Sequence, residues 1–177
     1  MLMREGELEF DFVDVLSERL DDKQKPQPHG LQLVDFIIEE PKRILMVEIK
    51  DPSCKPKGND EKALAGINSQ RQQFVTKINN GELINHELVP KARDSYTYLH
   101  LMKRCDKPIL YVFVLGVEQL VIDVPNLLVE FKRELLARLL QEAEQPWARR
   151  YVSDCLVLTE KTWLETFPQY PLARIAY

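Results

Sequence analysis

Asp35, Glu48 and Lys50 are the residues of this chain whose types and spacing could do chemistry. Glu48 and Lys50 lie two apart inside the apolar run ILMVEIK, where charge is out of place unless something uses it. The segments LQLVDFII and RILMVEIKD are strand-like and flank Pro41–Lys42, a turn signal. Paired as a hairpin about that turn, Ile38 faces Leu45, Phe36 faces Val47 and Asp35 faces Glu48. Lys50, two residues beyond Glu48, points to the same face. Leu33, Ile37, Ile44 and Met46 surround the charges on that face, so it is covered. Val34, Phe36 and Ile38 join Leu45, Val47 and Ile49 on the other. Directly opposed carboxylates repel, the more so where water is excluded. A divalent cation between them relieves the repulsion, and two carboxylates plus waters are a common Mg²⁺ site. Such an ion polarises a phosphoryl oxygen and acidifies bound water. A neighbouring ammonium stabilises the negative charge of a phosphodiester transition state.

The elements that must hold these residues follow from periodicity and punctuation. GELEFDFVDVLSERLDD reads as an amphipathic helix with Leu8, Phe12, Val15 and Leu16 on one face. KQKPQPHG breaks it, and PSCKPKGND is a polar loop after the hairpin. Helices are expected over Glu61–Asn79 and Pro90–Arg104, the second with proline in its first turn. KPILYVFVLG is expected as a central strand. VPNLLVEFKRELLARLLQEAE is the clearest helix, with Leu128, Phe131, Leu135 and Leu139 as its stripe. YVSDCLVLTEKTWLETFP reads as a strand and a short helix starting near Thr159 or Glu160. The sum is a mixed α/β domain over 1–177, a central mixed sheet with an antiparallel hairpin, flanked by helices.

Asp35, twelve residues, then Glu48-Ile49-Lys50 on adjacent antiparallel strands resembles the PD-(D/E)xK nucleases, the restriction-endonuclease-like superfamily. The resemblance covers Glu7 to Asp51, and Val34 stands where the family name has proline. It implies a single nuclease-like domain that hydrolyses phosphodiester bonds of nucleic acid, DNA first, with Mg²⁺ or Mn²⁺. Asp35 and Glu48 would bind the metal together with the Ile49 backbone carbonyl, and Lys50 would support the attacking water or the transition state. Many members add an acid from the first helix. At about 100° per residue, Glu9 is the acid that falls on the apolar arc between Leu16 and Leu20. The alternative is a non-catalytic module of the same fold, used for binding or assembly. A third possibility is an unrelated α/β interaction protein with solvated acids.

Composition narrows the rest. With 45% hydrophobic and 29% charged residues, the chain is that of a folded protein. A net charge of −4 argues against charge-driven nucleic-acid binding over the whole surface, though not against a local basic groove. Lys91 and Arg93, on the helix expected after the hairpin, are the candidates for substrate phosphates. Lys103, Arg104, Tyr96 and Tyr98 fit a solvated helix face and its core edge. Cys54, Cys105 and Cys155 form no CxxC pair, and His29, His86 and His100 are too scattered for zinc. No run is long enough to span a bilayer, so a cytoplasmic protein with no membrane partner is expected. A small cleaver of duplex DNA would act as a homodimer.

Overall fold

The computed structural model describes residues 1–22, 24, 28–56, 58, 60–120, 123–141 and 145–175. Parts of the loops expected over 23–30 and 52–60, and the last three residues of the helix expected over 124–144, lie outside these.

Its first element corrects the sequence expectation. The segment read as a helix is three short strands: β1 (Leu2–Glu5), β2 (Leu8–Asp11) and β3 (Leu16–Arg19). Leu8, Phe10 and Phe12 alternate with Glu9 and Asp11, and all three apolar residues are buried. This period of two prevails over the helical stripe. Gly6, at φ +59°, opens the two-residue loop between β1 and β2, a backbone conformation that glycine enters without strain.

β3 pairs antiparallel with β4 (Phe36–Glu39), and β4 with β5 (Ile44–Lys50). The β4–β5 register is the expected one, Phe36 against Val47 and Ile38 against Leu45. Three helical segments follow: α1 (Glu61–Asn79), a π-helical turn at Leu83–Leu88, and α2 (Val89–Leu101). The Asp60 side chain caps α1 by accepting from the Ala63 amide, 2.7 Å. This long crossover lets β6 (Ile109–Leu115) lie parallel to β5, and α3 (Val124–Leu140) does the same for β7 (Asp154–Leu158). Thr159 caps α4 (Glu160–Thr166), and β8 (Leu172–Arg174) then joins β2.

The result is mixed α/β: a five-stranded sheet ordered β3-β4-β5-β6-β7, a three-stranded antiparallel sheet β1-β2-β8, and four α-helices among the described residues. Two cores sandwich the larger sheet. Ile37, Ile44, Met46, Tyr111 and Phe113 pack with Ile84, Leu88, Ala92, Leu135 and Leu139 of the helical layer. Phe36, Ile38, Leu45, Val47 and Ile49 pack on the other face with Phe10, Phe12, Trp163 and Tyr170. Burial on both faces explains why β5 and β6 read as unbroken apolar runs. Val34 departs from its expected side. Pairing starts only at Phe36, and Val34 joins the helical-side core while its amide donates to Ser95 Oγ, 2.9 Å. Among the described residues no helix is long and apolar enough to cross a membrane.

Candidate metal and phosphate site

Glu48 is the third residue from the carboxyl end of β5, a strand that runs parallel to β6. Open α/β sheets bind ligands at such ends. Ile44, Met46 and Glu48 alternate onto the helical face, so the glutamate is carried into the interior by the pattern that buries its neighbours. It is 0% exposed, and Asp35 is 4% exposed. Continuing the β4–β5 register by one residue sets Asp35 opposite Glu48. Asp35 precedes the first paired residue of β4 and is pinned from several directions. Its carbonyl accepts from the Leu20 amide, 3.0 Å, and its Oδ2 accepts from the Ile49 amide, 2.6 Å. The residues leading to it are tied to α2 by Gln32 N–H to Asp94 and Val34 N–H to Ser95.

Lys91 is the group that joins the two acids. From α2 its Nζ donates to Glu48 Oε1 at 2.7 Å and Oε2 at 2.8 Å, and lies 3.7 Å from Asp35 Oδ1. Lys50 lies on the same side, its Nζ 3.1 Å from Glu48 Oε1 and 3.2 Å from Glu87 Oε2. Glu87 in turn accepts from Lys77, 2.9 Å. Glu87 is the penultimate residue of the π-helical turn and Lys91 lies four residues on, in the first turn of α2, so the wider winding runs directly into the helix and both side chains reach β5.

The electrostatics follow from burial. Desolvation, then the charge of Glu48, pushes the Asp35 carboxyl up to about 8, against the pull of Lys91. Desolvation raises Glu48 too, with Lys91 and Lys50 opposing. Burial lowers Lys50, but Glu48 and then Glu87 outweigh it and push the ammonium up to about 12.

The remaining sequence candidates divide. Ile49 keeps its place beside Asp35. The Lys50 carbonyl accepts from Gly116 on the β6 side, 2.9 Å, so the alternating Ile49 carbonyl faces the β4 side, as its amide does. Glu9 does not join the acids. It sits on β2 of the smaller sheet, directly across from Arg4, whose guanidinium it binds. The choice of Glu9 assumed a helix, and the strand aims it elsewhere. Arg93 is exposed and lines a separate surface cleft with Val89, Arg138 and Trp147. Besides Glu48, the acids that approach Asp35 among the described residues are Glu5 and Asp21, with one oxygen of each of the three within 4.8 Å of the others. Arg19 binds both, Asp21 at 2.8 Å and Glu5 also. Neither was legible from sequence, because their approach depends on β1 and β3 lying together.

Carboxylate oxygens are the hard donors that Mg²⁺ and Mn²⁺ take, and the donor set fits such an ion. Asp35 and Glu48 already share one cationic group, with the Ile49 carbonyl beside them. Compared with protein-family models, with curated proteins and with solved structures, the chain matches none.

Proposed function

We propose that the chain is a divalent-metal-dependent phosphodiesterase acting on nucleic acid, DNA first, on the PD-(D/E)xK pattern. One observation carries the reading: two buried carboxylates from adjacent strands reach a single cation, the Lys91 ammonium, with Lys50 on the same side. The antiparallel β3-β4-β5 meander followed by parallel β6 is consistent with a restriction-endonuclease-like core, although β1 and β2 stand where the family's N-terminal helix is expected. Asp35, Glu48 and the Ile49 carbonyl would hold Mg²⁺ or Mn²⁺. The ion would supply a polarised phosphoryl oxygen and a more acidic water. Lys50, protonated between Glu48 and Glu87, would stabilise negative charge on the phosphorane-like transition state. Incubation of linear and supercoiled DNA and of RNA with Mg²⁺ or Mn²⁺, beside Glu48→Gln, tests the proposal. Metal-dependent cleavage lost in Glu48→Gln is expected. No cleavage of any substrate by a folded wild type that binds the metal would defeat the enzymatic reading.

A second reading has its own support. Lys91 already compensates Glu48 with two hydrogen bonds, as a purely structural ion pair would. The chain would then be a non-catalytic binding or assembly module. Failure of millimolar Mn²⁺ to raise the melting temperature would favour it.

A further inference from the structure

We propose that Lys91 is a built-in counter-cation: its ammonium holds the place of the divalent ion between Glu48 and Asp35, yields it when the ion binds, and then turns to the substrate phosphate. The inference rests on the metal-dependent reading above and adds an order of events to it.

Only the tip of Lys91 binds the acids, at 2.7 and 2.8 Å to Glu48 and 3.7 Å to Asp35. The helix that carries it is fixed by other groups. Ala92 and Leu99 are fully buried, Ser95 Oγ accepts from Val34, and the Asp94 carboxylate accepts from Gln32. The ammonium can therefore leave by rotation of its four-carbon stem while α2 stays in place. Lys50 is placed differently. It is shared between Glu48 and Glu87, so Glu48 keeps one cation when Lys91 departs. Exchange of a monocation for a dication leaves the pair one positive charge richer, with the displaced ammonium close by. A phosphodiester brings one negative charge, and both cations can meet it. Lys91 thus sets metal affinity in the free protein and contacts the anion only after exchange.

The experiment uses Mn²⁺ alone with the full chain. Calorimetric titration of wild type and Lys91→Met reads the competition. The variant is expected to bind Mn²⁺ about 10-fold tighter or more, the scale of a hydrogen-bonded charge removed. Timed amine labelling of wild type, read by mass spectrometry, reads the displacement. Lys91 should label several-fold faster in saturating Mn²⁺ than without it, and Lys50 should change less. Equal or weaker binding by Lys91→Met overturns the proposal, and so does Lys91 labelling unmoved by bound Mn²⁺. Both results leave the metal site itself standing. If Lys91→Met does not fold, the labelling decides alone. If wild type takes up no Mn²⁺ at millimolar concentration, the metal reading fails and the exchange fails with it.

Discussion

Two buried ion clusters flank the end of β5, and they solve the problem of interior charge in opposite ways. Beyond Lys50, Asp51 accepts from both terminal nitrogens of Arg174, at 2.9 and 3.0 Å. The same guanidinium reaches Glu7 at 3.1 Å and also Glu160, and its Nε faces Glu118 at 3.4 Å. This knot ties β8 and α4 to the larger sheet through a planar fork that matches carboxylates in pairs. Space around it is closed: a Cβ on Gly116 would stand 2.3 Å from Asp51 Oδ1. At the Asp35–Glu48 cluster the cations are lysines, single points on flexible stems. Among the described residues Asp35 has the Ile49 amide as donor and the Lys91 ammonium 3.7 Å away, and burial, then Glu48, drives its carboxyl upward. An arginine fork that binds several carboxylates at once suits architecture, whereas acids met by lysine ammoniums on flexible stems suit exchange with a ligand.

The comparison is broken most severely at Arg174. Arg174→Met leaves Asp51, Glu7 and Glu160 with no shared cation, and loss of one partner from a buried pair costs about 3–5 kcal/mol. Urea unfolding should show that loss, while the folded protein keeps its response to Mn²⁺. A cost below about 1 kcal/mol would make the knot an ordinary surface pair. Next in size is Lys50→Met, which keeps most of the stem and deletes the charge. Cleavage should fall by about 100-fold or more, with Mn²⁺ binding retained. Near-normal cleavage, in a preparation free of contaminating nuclease, would remove Lys50 from the mechanism.

The contrast between the clusters also divides what sequence can show. The Asp35–Glu48–Lys50 set was legible because a hairpin register and a strand's period of two are local rules, and both hold. The helices over 61–79 and after 124, and the strand–helix pair at the end, were legible for the same reason. The first 22 residues satisfied two periods at once. Leu8, Phe10 and Phe12 marked a strand, while Leu8, Phe12 and Leu16 drew a helical stripe, and the strand's alternation was the better guide. Leu16 is exposed, as no buried helix face would leave it. Glu5, Asp21, Glu87 and Arg174 had no sequence signal of their role. Each meets its partners through pairing or winding between distant segments, and a π-helical turn is not marked by any residue pattern. Lys91 was visible as a basic residue on a helix, but its direction was not. The four-residue spacing from Glu87 was the available hint that both belong to one helix face.

Asp35→Asn sharpens the comparison through stability. The Asn carbonyl can still accept from Ile49 N–H, so the backbone bond survives and only the charge goes. In the fold the Asp35 carboxyl is pushed up to about 8 by burial and Glu48, above its ordinary value of 3.8. A raised acid favours the native state fully below its unfolded value, and that contribution is lost as pH rises through the folded one. Metal-free wild type should thus lose stability between about pH 4 and 8. Asp35→Asn should gain on it over the same window, by several kcal/mol near pH 8. Melting curves at pH 4.5 and 8 measure the gain. Equal stability of the two proteins at both values would mean that Asp35 is as well compensated as Asp51.

The smallest expected effect is at Glu87, where the Asp35–Glu48 cluster most resembles the Arg174 knot. Its carboxylate draws Lys50 at 3.2 Å and Lys77 at 2.9 Å from a half-exposed position. Burial raises it, but the bond from Lys77 and the charge of Lys50 hold it lower overall. Glu87→Gln keeps the shape and removes the charge. Screened pairs of this kind are worth about 0.5 kcal/mol, so folding should change little and cleavage by about 3-fold. The readout that isolates positioning is the titration of Lys50, followed by NMR at its ε-methylene. Glu48 and Glu87 together hold that ammonium above its ordinary value, so loss of Glu87 must lower the midpoint. A fall in the midpoint with a small loss of cleavage makes Glu87 the residue that keeps Lys50 charged and aimed. An unmoved midpoint would leave Glu87 a partner of Lys77 alone, and Glu48 the sole acid that governs Lys50.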